Sequence, residues 1–350
     1  MRTPRPLSSL LAVAALALTA ACGSSSASGA SSARPGPAAE LRLGYFANVT
    51  HAGPVYGVGS GLFQKALGST RLKTQVFNAG PAAVEALFAG AVDAAYVGPS
   101  PAVNAFVRSK GDVVIVAGAT SGGASLVVRP GITDAQQLKG KTLADPQTGG
   151  TQDVALRTYL AGAGFTEDKQ GAGDVTIVAQ ENGVTLDLFK KGSIDGAWVP
   201  EPWASRLVLD GGGKVLVDEK TLWPQGRFIT TNLLVKKSYL TAHPDAVKAL
   251  LTGQVEADRR IRTDPAAAQQ VVNDQLKALT GKALKPAVIA RAFAQVTVTE
   301  DPLAATLKEA AQHAFATGLV KKADLKGIYD LTLLRQVLGK DVDDAGLGKG

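Results

Sequence analysis

The sequence is almost free of sulfur: its 350 residues include one cysteine, Cys22, and one methionine. A single cysteine excludes an intrachain disulfide and a cysteine-based metal site. Histidine is nearly as scarce. His51, His243 and His313 lie far apart, with no H-x-x-x-H pairing, so no metal motif is expected. Aromatic residues make up 5% of the chain, and the 37 basic residues, set against 30 acidic ones, are scattered. The densest basic group, Arg259, Arg260 and Arg262, falls on a predicted helix as a solvated face. A nucleic-acid groove needs basic side chains interleaved with aromatics, so the composition argues against a nucleic-acid partner. The apolar run Leu10–Ala21 is too short to span a bilayer as a stable helix.

What is present is a folded globular composition, 45% apolar and 19% charged. Helical Ala/Leu patterns alternate with short Val/Ile/Leu strands, which predicts an α/β protein with mainly parallel sheets. Arg2 and Arg5 precede the apolar run, so residues 1–21 read as a signal peptide. The run ends in Leu18-Thr19-Ala20-Ala21-Cys22-Gly23, which resembles a bacterial lipobox, where cleavage leaves a lipidated N-terminal cysteine. The alternative is a plain secretory signal with an incidental thiol. Residues 22–40, rich in Ser, Ala, Gly and Pro, read as a flexible tether that would hold a folded body off a membrane.

The body is organised around Ala144-Asp145-Pro146-Gln147-Thr148-Gly149-Gly150-Thr151-Gln152-Asp153, between a predicted strand and a predicted helix. A helix start carries unpaired N–H groups and partial positive charge, so a glycine-rich loop there suits a small anion. An ordinary N-cap, with Thr148 or Thr151 capping, is the alternative. The surrounding pattern occurs twice. Leu87-Phe88, Gly90, Val92, Asp93, Tyr96 and Val97 match Leu188-Phe189, Gly192, Ile194, Asp195, Trp198 and Val199. This repeat over about a hundred residues predicts two lobes of one build. Residues 41–124 with 232–338 form the first lobe and 125–231 the second, with two hinge crossings between them. Residues 339–350 are expected to be a disordered tail.

In open α/β sheets, ligands sit beyond the carboxyl ends of the strands. Four loops qualify: Asn48–His51, Gly98–Pro101, Thr148–Gln152 and Pro200–Trp203, with Ser121-Gly122 at the crossing. The candidate binding residues are Asn48, His51, Ser100, Ser121, Gly122, Thr148, Thr151, Gln152, Glu201 and Trp203. No Lys or Arg lies in these loops, and His51 is the one potentially cationic side chain. Tyr45, Phe46 and Trp203 are candidates for an apolar wall, whereas Trp198, inside a strand, reads as core.

Several stretches carry a resemblance: Gly44-Tyr45-Phe46-Ala47-Asn48-Val49-Thr50-His51, Val97-Gly98-Pro99-Ser100-Pro101, Gly140-Lys141-Thr142, Gly149-Gly150-Thr151-Gln152-Asp153-Val154 and Glu201-Pro202-Trp203. They resemble the substrate-binding proteins of bacterial ABC importers, within them the nitrate/sulfonate/taurine family and its aliphatic sulfonate-binding group. The resemblance runs from about Leu41 to Ala316. It implies a type II periplasmic-binding-protein fold, two α/β lobes closing on a ligand whose anionic head meets helix N-termini. The implied partners are a small organic anion, a membrane permease and its ATPase, with anchoring to the extracytoplasmic membrane face through Cys22. A monomer without cofactor or metal is expected.

The expected ligand order is organic sulfonates, then nitrate, then phosphonates. A doubly charged head would lack compensating charge, whereas a monoanionic sulfonate can be met by Ser100, Thr148, Thr151, Gln152 and backbone N–H groups. Glu201 is the expected partner of a ligand amine such as that of taurine. Thiamin-precursor pyrimidines are bound on the same fold. An enzyme, such as a pyrimidine synthase or small lyase, is the runner-up, with His51 and Glu201 its only acid–base candidates. A ligand-sensing domain of a regulator ranks last, because no helix-turn-helix precedes residue 41.

Overall fold

The computed structural model describes residues 37–348. The expected signal peptide, Cys22 and the tether as far as residue 36 lie outside the described residues. The folded body begins before Leu41: Ala38 is buried, and its carbonyl accepts a hydrogen bond from the Thr70 hydroxyl at 2.8 Å.

Eleven strands form two sheets among the described residues. In chain order they are β1 (Glu40–Phe46), β2 (Arg71–Phe77), β3 (Ala94–Val97), β4 (Val113–Gly122), β5 (Ala124–Val128), β6 (Thr142–Asp145), β7 (Thr176–Ala179), β8 (Gly196–Pro200), β9 (Lys214–Asp218), β10 (Ile229–Lys236) and β11 (Val296–Val298). The first sheet runs β11-β4-β10-β3-β1-β2 and the second β7-β6-β8-β5-β9. Each contains a parallel trio, β2-β1-β3 or β7-β6-β8, as the βαβ patterns predict. Each is completed by antiparallel strands, so the sheets are mixed. The antiparallel strands come from the crossings. β5 arrives from the first half and pairs with β8 and β9, while β10 returns and inserts between β3 and β4.

The internal repeat has a physical basis. The Asp93 carboxylate accepts the backbone N–H of Arg42 at 2.9 Å, and the Asp195 carboxylate accepts that of Thr142 at 2.9 Å. In both halves the aspartate therefore ties the start of the third strand to the first. The paired aromatics are core in both halves: Tyr96 donates to Gln254 at 2.8 Å and Trp198 to Glu219 at 2.7 Å. In the second sheet Leu126, Leu143 and Trp198 face one apolar cluster, and their neighbours Val127, Ala144 and Val199 face the other. Both faces are covered by helices, which explains why these strands read as continuous apolar runs.

The outgoing crossing turns at Gly122 and Gly123, whose φ angles of 78° and 82° favour glycine. Ser121 and Gly122 thus end the strand that leads into the crossing. The C-terminal region is mainly helical. Pro244–Thr263, Pro265–Thr280 and Pro286–Phe293 each begin at a proline, where the missing N–H costs nothing. The expected disordered tail departs from the structure as far as residue 348: Val342 and Leu347 are buried in the first half's core, and Tyr329 forms a β-bridge to Gly348. Arg335 also holds it, through the Val342 carbonyl at 2.7 Å and the Asp344 carboxylate at 3.1 Å.

Candidate functional site

Among the helices that begin at the interface of the halves, three open on one point: Gly80–Phe88, Pro99–Arg108 and Thr151–Gly162. Their N-cap residues are Ala79, Gly98 and Gly150, and none supplies a side-chain cap. A fourth segment, the turn Val49–His51 with Asn48 before it, leads into the helix Ala52–Gly59. Asn78 to Gly80, Gly98, Gly150 to Gln152 and Asn48, Thr50 and His51 together line a cavity of about 30 Å³, closed further by Phe46 and Thr230-Thr231. That volume holds about one or two water molecules. Helix starts aimed at one point concentrate partial positive charge there.

The cavity is built from both halves, which meet tightly. A Cβ added at Gly98 would lie 2.0 Å from the hydroxyl oxygen of Thr151 in the facing half. Across the interface, Asn78 donates to Glu181 at 2.5 Å and the Trp203 indole N–H donates to the Asn48 side-chain oxygen at 2.9 Å. The Glu201 carbonyl accepts the N–H groups of Val49 and Thr50 at 3.0 and 3.3 Å.

His51 is buried and stacks on Phe46 with ring centroids 4.2 Å apart. The Phe46 N–H donates to His51 Nδ1 at 3.3 Å, so in the neutral ring Nε2 carries the proton. Burial drives its pKa down from 6.5 to about 3. His51 is therefore a neutral donor rather than the cation its residue type alone allowed. The lining holds no side chain that is ionised at neutral pH.

Of the ten residues expected to bind ligand, Asn48, His51, Thr151 and Gln152 line the cavity. Ser100 is buried in the first turn of its helix, outside the lining, and Ser121 and Gly122 belong to the crossing. Thr148 is exposed on the outer side of its loop. Trp203 stands behind Asn48 and orients it; with Oδ1 occupied, the Asn48 amide NH₂ is left as the donor. Glu201 is buried, and both its carboxyl oxygens are taken by Ser205, from the hydroxyl at 2.9 Å and the N–H at 3.1 Å. Burial raises its pKa, and the Ser205 bonds pull it back. Its carboxylate is thus turned to the first turn of the following helix, outside the cavity lining.

Of the proposed apolar wall, Phe46 is in place, while Tyr45 is core. Asn78, Ala79, Gly80, Thr230 and Thr231 were not singled out. Gly80-Pro81 after β2 carries the same strand–turn–helix signal as Gly98-Pro99. Nothing in the sequence marks the return crossing as a wall. Among the described residues, no group of three or more His, Cys, Asp or Glu side chains is placed to hold a metal ion.

Two predictions follow from this geometry. Gly98 has φ −75°, so Gly98→Ala introduces no backbone strain. Its methyl group meets Thr151, and the variant should fold but fail to close. Small-angle scattering should give a larger radius of gyration than the parent, and a radius equal to the parent's refutes the contact. His51 has a lower pKa folded than unfolded. Between pH 6.5 and 3 the unfolded chain therefore takes up a proton that the folded chain refuses, and stability falls as pH drops through this window. Its contribution at pH 5 should be about 2 kcal/mol smaller than at pH 7. Denaturant titrations should show a flatter acid limb for His51→Gln; parallel limbs would contradict it.

The fold is that of periplasmic binding proteins. The alkanesulfonate-binding protein SsuA from Xanthomonas axonopodis pv. citri, solved bound to MOPS, superposes with TM-score 0.68 at 26% identity, over 82% of this chain and 96% of that one. The nitrate-binding protein NrtA from Synechocystis PCC 6803 shares the fold at TM-score 0.73 and 16% identity, over 86% and 89% of the two chains. The taurine-binding periplasmic protein of Escherichia coli (strain K12) is 29% identical over 204 residues, 58% of this chain and 61% of that protein, which is under two thirds of the relative's length. The model of the NMT1-like family matches residues 34–274, more than half of the sequence, and the chain belongs to the NMT1-like family.

Proposed function

We propose that this chain is the capture component of an importer: it closes its two halves on a small monoanion and delivers it to a membrane permease driven by an ATPase. The observation that carries this reading is the convergence of three uncapped helix starts from both halves on a cavity without ionised side chains. Relatives named as binding proteins support it. The lining supports it against an enzyme as well, because it offers no acid–base pair near neutral pH: His51 is pushed down to about 3 and Glu201 turns to Ser205.

The ligand we favour is a short-chain organic sulfonate. One charge spread over three oxygens matches several neutral donors, and the Phe46–His51 stack offers a short tail an apolar face. A phosphonate dianion would bury a second charge with no partner. No carboxylate lines the cavity, so the ammonium of taurine lacks a counter-charge there. A second reading, an inorganic monoanion such as nitrate, is favoured by the small cavity. Calorimetry with ethanesulfonate, taurine, hexanesulfonate, nitrate and methylphosphonate separates these. Ethanesulfonate should bind tightest, taurine at least tenfold more weakly, and methylphosphonate not at all. Each lost charge-assisted contact should cost about 1.5–3 kcal/mol, so Gln152→Ala should weaken ethanesulfonate measurably. Tighter nitrate would move the ligand to the inorganic class; tight phosphonate or neutral pyrimidine would remove the monoanion reading.

We also propose that Cys22 carries a lipid, holding the protein at the extracytoplasmic face of the membrane, because one apolar run and a small-residue cleavage site precede it. Metabolic labelling with an alkyne fatty acid should mark the parent and not Cys22→Ser. Unlabelled parent recovered from the medium would remove the anchor.

A further inference from the structure

A second cavity, of about 440 Å³, lies at the other end of the helix Thr151–Gly162. It falls in the size range of sites that bury drug-sized ligands. Like the first cavity it is shared between the halves. Tyr159, the helix end at Gly162-Ala163 and Glu219, Leu222 and Trp223 come from the second half, and Glu309 and His313 from the helix Ala304–Ala316 of the first half. Its walls are aromatic. Trp223 stacks on Phe228 with centroids 5.4 Å apart and meets the His313 ring at 5.6 Å, while Tyr159 meets Trp198 at 5.7 Å.

Its electrostatics are the reverse of the anion cavity's. The lining contains two carboxyl groups, Glu219 and Glu309, and no Lys or Arg. Burial lowers the His313 pKa, which disfavours a cation there, against the opposing pull of Glu309. The helix that presents its positive start to the first cavity presents its negative end here. Aromatic faces attract cations through their quadrupoles, most strongly when the cation is shielded from water. Glu219 is buried beneath this wall, with one oxygen taken by the Trp198 N–H at 2.7 Å. Burial lifts it to about 7, and a neighbouring cation favours its ionised form.

We propose that this cavity is a second ligand site, specific for an amphiphilic organic cation that carries one positive charge on an aromatic or alkyl body. The body packs between Tyr159, Leu222 and Trp223, and the charge faces Glu309 and the end of the helix. Because the walls come from both halves, an occupant bridges them. The site does not depend on which anion the first cavity takes.

Benzyltrimethylammonium is a suitable probe, and benzenesulfonate is its matched anion. Binding is read by calorimetry and by quenching of tryptophan emission in the parent, Trp223→Leu and Glu309→Gln, each first shown to melt like the parent. The cation should bind the parent saturably. Trp223→Leu should weaken it at least tenfold, and Glu309→Gln, which keeps the shape and removes the charge, at least threefold. Benzenesulfonate should compete for none of this binding. The proposal is overturned if the parent shows no saturable binding, if both variants bind as the parent does, or if benzenesulfonate displaces the cation.

Discussion

Three helix starts without caps set the terms for the rest of this molecule. Ser, Thr, Asp or Asn at an N-cap typically contributes about 1 kcal/mol over alanine by accepting a hydrogen bond from the first turn. At Ala79, Gly98 and Gly150 no side chain does this. The first-turn N–H groups then have no side-chain acceptor at the cap, and these helix starts border the shared cavity. Capping side chains would also fill the space that the acceptor needs. Small residues at these positions let the backbones approach, and Gly98 against Thr151 is the tightest case.

The two halves are also held by contacts that border the cavity. The Glu201 carbonyl receives two N–H groups from the Val49–Thr50 turn, while its N–H donates to the Gly123 carbonyl at 2.8 Å. One residue of the second half thus binds both the site turn of the first half and the crossing itself. Thr230 and Thr231 do the same on the return strand, donating to the Gly122 and Thr50 carbonyls at 2.6 and 2.9 Å. The crossing and the cavity wall share residues, so a change of angle between the halves is felt at the wall without any intermediary.

Much of this frame was legible in the sequence, because strand, turn and helix signals are local. The parallel trios, the proline-opened helices and the Asp93–Asp195 correspondence follow from periodicity and repetition. The antiparallel strands did not, since β9 and β11 are short and their pairing depends on where the crossings land. The loops of the site were legible, but the side chains within them were not. Thr148 and Thr151 lie three residues apart in one glycine-rich loop, and only the second faces inward. Glu201 reads as a ligand-facing carboxylate until Ser205, one helical turn on, claims both its oxygens. Such choices are made by neighbours distant in sequence or by competition within a turn, and residue type alone carries neither.

The acidic residues beside the anion cavity pose a question of charge. Asp145 ends β6 and Asp153 lies in the first turn of the helix Thr151–Gly162, both buried. Two carboxylates there would cancel the field of the helix start. Asp153 is paired with the buried Arg157 at 2.6 Å and accepts the Gly149 N–H at 2.7 Å, which fixes the glycine loop. Arg157 in turn donates to the Asp168 carbonyl at 2.7 Å, so the pair is anchored in the second half. Burial, and after it the charge of Asp153, pushes the Asp145 pKa well above the usual carboxylate range, which disfavours a second negative charge here. The raised carboxyl and the closed ion pair keep negative charge low beneath the loop. The positive end of the helix is then left uncancelled. An aspartate in the first turn, which elsewhere stabilises a helix at the expense of any anion it could bind, is here neutralised by an arginine one turn further on.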